Sequence, residues 1–312
     1  MKTRRFLGIL ALALGCAALP ATAQDLQEIK AQGALRHLGI PYANFVTGSG
    51  DGLDVEIIQM FARHLGVRYQ YVQTSWKSAF GDLTGRQVKQ SGDEIQFLGE
   101  VPMRGDLIAN GLTMLPWRQK LIEYSTPTFP TGVWLIARAE GKILPIKASG
   151  DRARDIQATK SRLRDGSVLV MEATCLDPAL YGLKNKGLDL RYYTRSTNLN
   201  EMVPAILNDD AQMTLLDVPD ALIALEKWPG QIKVIGPVSE DQQMGVGFRK
   251  DSPELRKAFN AFFQTLKQDG TYVRLVEKYY PTALRYFPSF FKDEGARAAE
   301  PGPSGQAKTA LK

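Results

Sequence analysis

The sequence predicts an α/β fold arranged as two domains, and three observations carry that expectation. Its 312 residues are too many for one small core and too few for three ordinary domains. Short apolar runs alternate with helix-patterned stretches, the order that layers helices on a sheet. Hydrophobic residues make up 44%, charged residues 23%, and the mean hydropathy is −0.21. That is the composition of an ordinary soluble globular chain, and it excludes collagen-like, disordered and multi-span membrane classes.

The formal charge of +6 and pI near 9.2 raise the question of nucleic acid. Lys2, Arg4 and Arg5 supply three of those charges, and residues 1–23 contain no acid. The excess of +3 left on the rest of the chain is too mild to predict a phosphate-binding surface. Two cysteines and two histidines exclude a disulfide scaffold and make most zinc sites impossible. No metal and no cofactor are expected.

Residues 1–23 read as a signal peptide. A basic start is followed by an apolar run from Phe6 to Leu19, then Ala21-Thr22-Ala23 ahead of Gln24. Small residues suit the shallow pockets of a signal peptidase, and the run is too short to span ~30 Å of hydrocarbon comfortably. An N-terminal anchor is the competing reading. Leu14-Gly15-Cys16 also has the look of a lipoprotein cleavage site, and Arg4-Arg5 of a twin-arginine signal,, but Ala-Thr-Ala is the better match. Export of this kind predicts the periplasm. Beyond the signal only Cys175 remains, so no internal disulfide can form,.

The elements follow in order. Leu35–Ile40 reads as a strand, and the glycine-rich stretch 47–52 as a plain loop, since it lacks the rest of a dinucleotide fingerprint,. Ile58, Phe61 and Leu65 recur at helical spacing, with Asp54 as cap and Gly66 as stop,. Val67–Val72 is the next strand. Residues 77–105 read as a hairpin or long loop. Strands are expected at Leu107–Leu112, Val133–Ala137, Val168–Met171, Met213–Leu216, Ile232–Ile235 and Met244–Phe248, with a helix over Leu199–Leu207. Ser252-Pro253-Glu254 starts a helix whose buried stripe is Leu255, Phe259, Phe262 and Leu266, ending at Gly270,. Residues 292–312 have nothing to bury and are expected to be a disordered tail.

Enzyme motifs do not stand out. His37 and His64 fall in no metal motif, and the sequence carries no G-x-S-x-G and no P-loop,. Cys175 has no basic pattern beside it and reads as a small hydrophobe. The informative stretch is Gly105–Phe129. Asn110-Gly111-Leu112-Thr113 follows a strand, and Arg118 comes five residues after the threonine. A strand-end N–H, a hydroxyl and a guanidinium can together grip a carboxylate. A solvated helix-start arginine is the plainer alternative.

That stretch, with Glu123-Tyr124-Ser125-Thr126-Pro127, resembles the type II periplasmic solute-binding proteins, in the amino-acid-binding branch that serves ABC transporters. Gln242–Lys250 is similar to the family's return strand. Asp269-Gly270-Thr271-Tyr272 and Glu277–Tyr280 resemble its closing helices, and Gly52–Glu56 through Gly66-Val67 its early helix. The resemblance covers most of residues 30–290. It implies a two-lobed fold with two crossover strands at the hinge, near 128–132 and 240–244. Residues 24–128 and 244–291 would form a discontinuous first lobe and 129–243 the second.

The resemblance also implies a site between the lobes. Gly111, Thr113 and Arg118 match positions that hold a ligand carboxylate, and Asp217 matches the partner of an α-ammonium. A helix N-cap is the other reading of Asp217, because Pro219 follows it closely. Trp76 matches an aromatic over the ligand, or else is core. Thr174 sits where the second lobe offers a threonine. Tyr42 and Phe45 follow the first strand, where the family often has an acid, and with Trp76 and Trp117 they would suit a larger or aromatic ligand. Ala173, Cys175 and Gln212 depart from the family pattern, and 78–104 is longer than the family's compact loop.

The implied function is capture of a small carboxylate-bearing ligand, an amino acid or derivative, for delivery to an ABC transporter permease. A monomer is expected. One alternative is a cyclohexadienyl or arogenate dehydratase-like enzyme on the same scaffold, for which Glu172 is the candidate acid. Another is a ligand-sensing module for a membrane partner. A lytic transglycosylase is disfavoured, since the expected folded chain ends near Phe291 without room for a second catalytic domain.

Overall fold

The computed structural model describes residues 25–91 and 94–295. The expected signal peptide and Cys16 lie outside the described residues, as do residues 296–312. In chain order the strands are β1 (Ala34–Gly39), β2 (Arg68–Gln73), β3 (Arg86–Ser91), β4 (Glu94–Glu100), β5 (Leu107–Ile108), β6 (Ile122–Tyr124) and β7 (Phe129–Thr131). They continue as β8 (Val133–Arg138), β9 (Val168–Val170), β10 (Leu190–Tyr192), β11 (Met213–Asp217), β12 (Ile232–Pro237), β13 (Gln242–Met244) and β14 (Gly247–Arg249).

Two five-stranded sheets organise these strands. The first runs β2-β1-β5-β14-β6 and the second β10-β9-β11-β8-β12. In the first, β1 pairs parallel with β2 and β5, while β14 returns antiparallel between β5 and β6. Sequence from both ends of the chain therefore completes one sheet. In the second, β9 pairs parallel with β10 and β11, and β8 pairs antiparallel with β11 and β12. Central strands such as β5, β9 and β11 are buried along their length, which is why they read as apolar runs without alternation. Between the sheets, β7 and β13 form a two-stranded antiparallel pair, with Thr131 opposite Gln242 and Phe129 opposite Met244.

Several elements differ from the sequence expectation for identifiable reasons. The single strand expected at Met244–Phe248 is two, because Met244 pairs with Phe129 while Gly247 pairs with Ile108 and Tyr124. Asp54 is not a cap. Gly52 takes the N-cap position of the helix Leu53–Leu65, and the buried Asp54 carboxylate instead accepts the Gly111 N–H at 2.6 Å. The stretch 77–105 holds a helix, Ala79–Thr84, ahead of the β3–β4 hairpin. The helix Pro253–Gln268 buries Leu255, Phe259, Phe262 and Leu266 as expected, and its first-turn amides at Glu254 and Leu255 donate to Asp25. A helix over Pro288–Gly295 enters the stretch expected to be disordered. Its anchor is Phe291, whose ring packs on Phe129 and Tyr272. No helix among the described residues is long and apolar enough to cross a membrane.

Candidate functional site

Tyr42 follows β1, Gly111 and Thr113 follow β5, Thr174 follows β9, and Asp217 ends β11. All stand at or just beyond the carboxyl ends of strands, where crevices in open α/β sheets receive ligands. The two sets of strand ends face each other, since the Tyr42 hydroxyl donates to Asp217 Oδ2 at 2.9 Å. Beside it, the Ala43 N–H donates to Asn200 Oδ1 at 2.8 Å. The lobes are thus in contact across the crevice.

Arg118 sits in the short helix Pro116–Gln119 and is fully buried. Its Nη1 donates to the Thr113 carbonyl at 2.9 Å, an oxygen that also accepts the Tyr124 hydroxyl at 2.9 Å. The rings of Trp76, Trp117 and Phe80 surround its guanidinium carbon at 5.1, 5.2 and 5.8 Å, a cationic cage closed by π faces. Nε and Nη2 have no hydrogen-bond partner among the described residues, and neither does the buried Thr113 hydroxyl. A solvated helix-start arginine was the plainer reading of the sequence. The structure corrects that: Nη1 bonds locally, and the other nitrogens remain as donors.

Asp217 occupies the N-cap position of the helix Val218–Lys227, yet its side chain makes no cap bond. Its Oδ2 accepts from Tyr42 and from the Cys175 thiol at 3.0 Å, and Oδ1 has no hydrogen-bond partner among the described residues. Burial pushes the Asp217 carboxyl up, opposed by the bonds from Cys175 and Tyr42 and by the Arg118 charge. Burial, with the nearby Asp217 charge, also lifts the Cys175 thiol well above its ordinary range, which favours the neutral thiol that donates to Asp217,. Asp220, one turn along the same helix, is pushed up to about 8 by burial and by Asp217.

The other expected residues fall around this pair. Trp76 is in the Arg118 cage and stands edge-on to Tyr42. Phe45 is wholly enclosed by Tyr42, Phe129 and Tyr280. Gly111 takes φ +64° and gives its N–H to Asp54, so that N–H is not on offer to a carboxylate. Thr174 donates its hydroxyl to the Met171 carbonyl at 2.8 Å and accepts the Leu176 N–H at 3.0 Å. Its proton is spent on its own turn. Glu172 is paired with Lys184 at 2.9 Å and its side chain is 59% exposed, which is the wrong setting for a general acid. Phe80, Asp220 and the Asp54–Gly111 bond were missed. Trp76, read as an aromatic over the ligand, and Trp117, adjacent to Arg118, were the sequence signals for an aromatic cage.

Two expectations follow here. Gly111→Ala should destabilise the fold by about 1–3 kcal/mol in denaturant unfolding, because its left-handed φ is strained for alanine and the new methyl meets the Phe45 ring,. Burial raises Asp54 to about 7 against a model-peptide value of 3.8, with the Gly111 bond opposing. A folded value above the unfolded one means that stability is full below about pH 4 and lost as pH rises through 7. Asp54→Asn should flatten the fall in Tm between about pH 4 and 7,. An unchanged slope would show that Asp54 does not titrate there.

The family model for bacterial extracellular solute-binding proteins, family 3, matches residues 102–282, more than half of the chain. The chain belongs to this family. Similarity extends to the L-cystine-binding protein TcyJ of Escherichia coli K12, 26% identical over 238 residues, covering 75% of each chain. The membrane-bound lytic murein transglycosylase F of Desulfosudis oleivorans is 26% identical over 237 residues, covering 76% of this chain. This solute-binding protein spans only 45% of that relative's length. In fold it is similar to a mutant of ArgBP from T. maritima, with TM-score 0.64, 22% identity, and coverage of 82% of this chain and 99% of that one. The α/β architecture is the two-lobed type II periplasmic binding protein fold.

Proposed function

We propose that this protein is a periplasmic binding protein that closes on a small carboxylate-bearing ligand, an amino acid or derivative, and presents it to an ABC transporter permease. The observation that carries this is a set of buried polar atoms with complementary signs. Arg118 Nε and Nη2 and the Thr113 hydroxyl are donors on one lobe, and Asp217 Oδ1 is an acceptor on the other. Buried polar atoms without partners cost roughly 1–3 kcal/mol each, more when charged. A ligand carboxylate on Arg118 and Thr113, with its ammonium on Asp217, offsets that cost and ties the lobes together. Only a ligand that prefers the closed form can shift the opening equilibrium.

Membership of a family of extracellular solute-binding proteins and the apolar run at Phe6–Leu19 support export. In this reading residues 24–128 and 244–291 form the first lobe and 129–243 the second. Binding is favoured over catalysis because Glu172 is tied to Lys184 and Cys175 is held as a thiol by Asp217. The test is a thermal-shift panel on the purified chain with the twenty amino acids, dicarboxylates and small peptides. A ligand at 100 times its Kd should stabilise the fold by about 2.7 kcal/mol. A panel without any shift would remove the reading.

A further inference from the structure

The far pole of the second sheet carries a groove that the ligand site does not use. It lies at the amino ends of β9, β10 and β11, whereas Thr174 and Asp217 stand at the carboxyl ends of β9 and β11. The groove is two adjoining hollows of about 560 and 740 Å³, within the size range of small-molecule sites. Arg164, Lys186 and Leu188 line both. One wall is the carboxyl end of the helix Arg152–Arg162 with the turn after it, and the other is the loop from Tyr181 to Leu188.

The charges in the groove are one-sided. The smaller hollow is lined by Lys160, Arg164 and Lys186 and by no acid. In the larger, Asp209 pairs with Arg138 and Asp189 with Arg191, which leaves Arg164 and Lys186 unbalanced there too. Acids close by are committed elsewhere: Asp165 to Arg162 at 3.8 Å, and Glu172 and Asp177 to Lys184 at 2.9 and 3.8 Å. Among the described residues no acid pairs with Lys160, Arg164 or Lys186. Spread over the whole chain, a small positive excess predicts no anion site. Here five cations and two acids line one groove.

The helix end explains only part of this. Cations suit the last turn of a helix, which accounts for Lys160 and Arg162,, but Lys186 comes from the opposite wall. Lys160 is also fixed in place. Its Nζ donates to the Tyr181 carbonyl at 2.8 Å, which joins the two walls and leaves two of its three donors. Burial lowers the Lys160 ammonium from its ordinary value, so its charge is partly desolvated with no counter-ion beside it. Arg164 adds a planar fork that can hold two oxygens of one anion.

We propose that this groove binds a compact, multiply charged oxyanion of the phosphate type, held by Lys160, Arg164 and Lys186, at a site separate from the crevice between the lobes. A single carboxylate offers one negative charge to three cations, whereas a phosphate or pyrophosphate offers two or more. The site stands or falls independently of the proposed function, because it shares no residue with Arg118, Thr113 and Asp217.

The test is calorimetric titration of the full chain with inorganic pyrophosphate at physiological ionic strength, in the wild type, in Arg164→Gln/Lys186→Gln and in Arg118→Lys. Arg164 and Lys186 are exposed, so the double variant should fold and keep the wild-type Tm. One pyrophosphate per chain is expected. The double variant should bind it at least about tenfold more weakly, the scale of two partly exposed ion pairs, and Arg118→Lys should bind it as the wild type does. Absence of binding, or equal affinity in the double variant, overturns the site. So does a loss in Arg118→Lys, which would put the anion in the crevice between the lobes. Several weak sites that added salt removes would be the response of scattered surface cations, and would overturn it as well.

Discussion

Replacing Arg118 with lysine should lower affinity for the ligand roughly 100-fold in calorimetric titration. Lysine keeps the positive charge and most of the length, but it loses the planar fork. Two charge-assisted hydrogen bonds, at roughly 1.5–3 kcal/mol each, depend on Nε and Nη2,. Losing about 3 kcal/mol of that is about two decades in Kd. Alanine is the poorer probe. Arg118 is buried among Trp76, Phe80 and Trp117 and holds the Thr113 carbonyl, so Arg118→Ala would leave a cavity and unfold part of the first lobe. The lysine variant separates binding from folding, because its Tm should stay within a few degrees of the wild type. Wild-type affinity in Arg118→Lys would take the guanidinium out of the site.

Asp217→Asn should weaken binding of amino acids by about 1.5–3 kcal/mol while sparing ligands that lack an ammonium. Asparagine can still accept from Tyr42 and Cys175 through its one carbonyl oxygen. Its amide N–H₂ then stands where Asp217 Oδ1 is now, a donor aimed at the ligand's own donors. The decisive readout is the ratio of affinities for an amino acid and its α-hydroxy analogue, measured side by side. A ratio unchanged by Asp217→Asn would mean that Asp217 serves the Tyr42 latch and not the ligand.

Much of the fold was legible because its strands and helices obey local rules. The run Val168–Met171, the stripe at Leu255, Phe259, Phe262 and Leu266, and the stop at Gly66 each follow from burial or from a left-handed glycine. What local pattern could not show is partnership over long sequence distances. Asp54 looks like a cap until Gly111, 57 residues later, brings an N–H to it. The helix at Pro288–Gly295 exists because Phe291 finds Phe129 and Tyr272, and nothing in its polar neighbours announces that. Arg118, Thr113 and Asp217 were named as candidates through a family pattern, and the structure adds which of their atoms are already committed. The hydroxyl of Thr174 and the N–H of Gly111 look available in sequence, and both are bonded within the protein.

The central claim is that a ligand carboxylate is held between the lobes by Arg118 and Thr113. The most direct measurement varies the ligand and leaves the protein intact. The chain is titrated with the amino acid that gives the largest thermal shift, and with the corresponding amino-acid amide, in which the carboxylate is neutral. The account predicts that the amide binds at least about 100-fold more weakly, since it offers the guanidinium no negative charge. Equal affinity for the acid and the amide would contradict it.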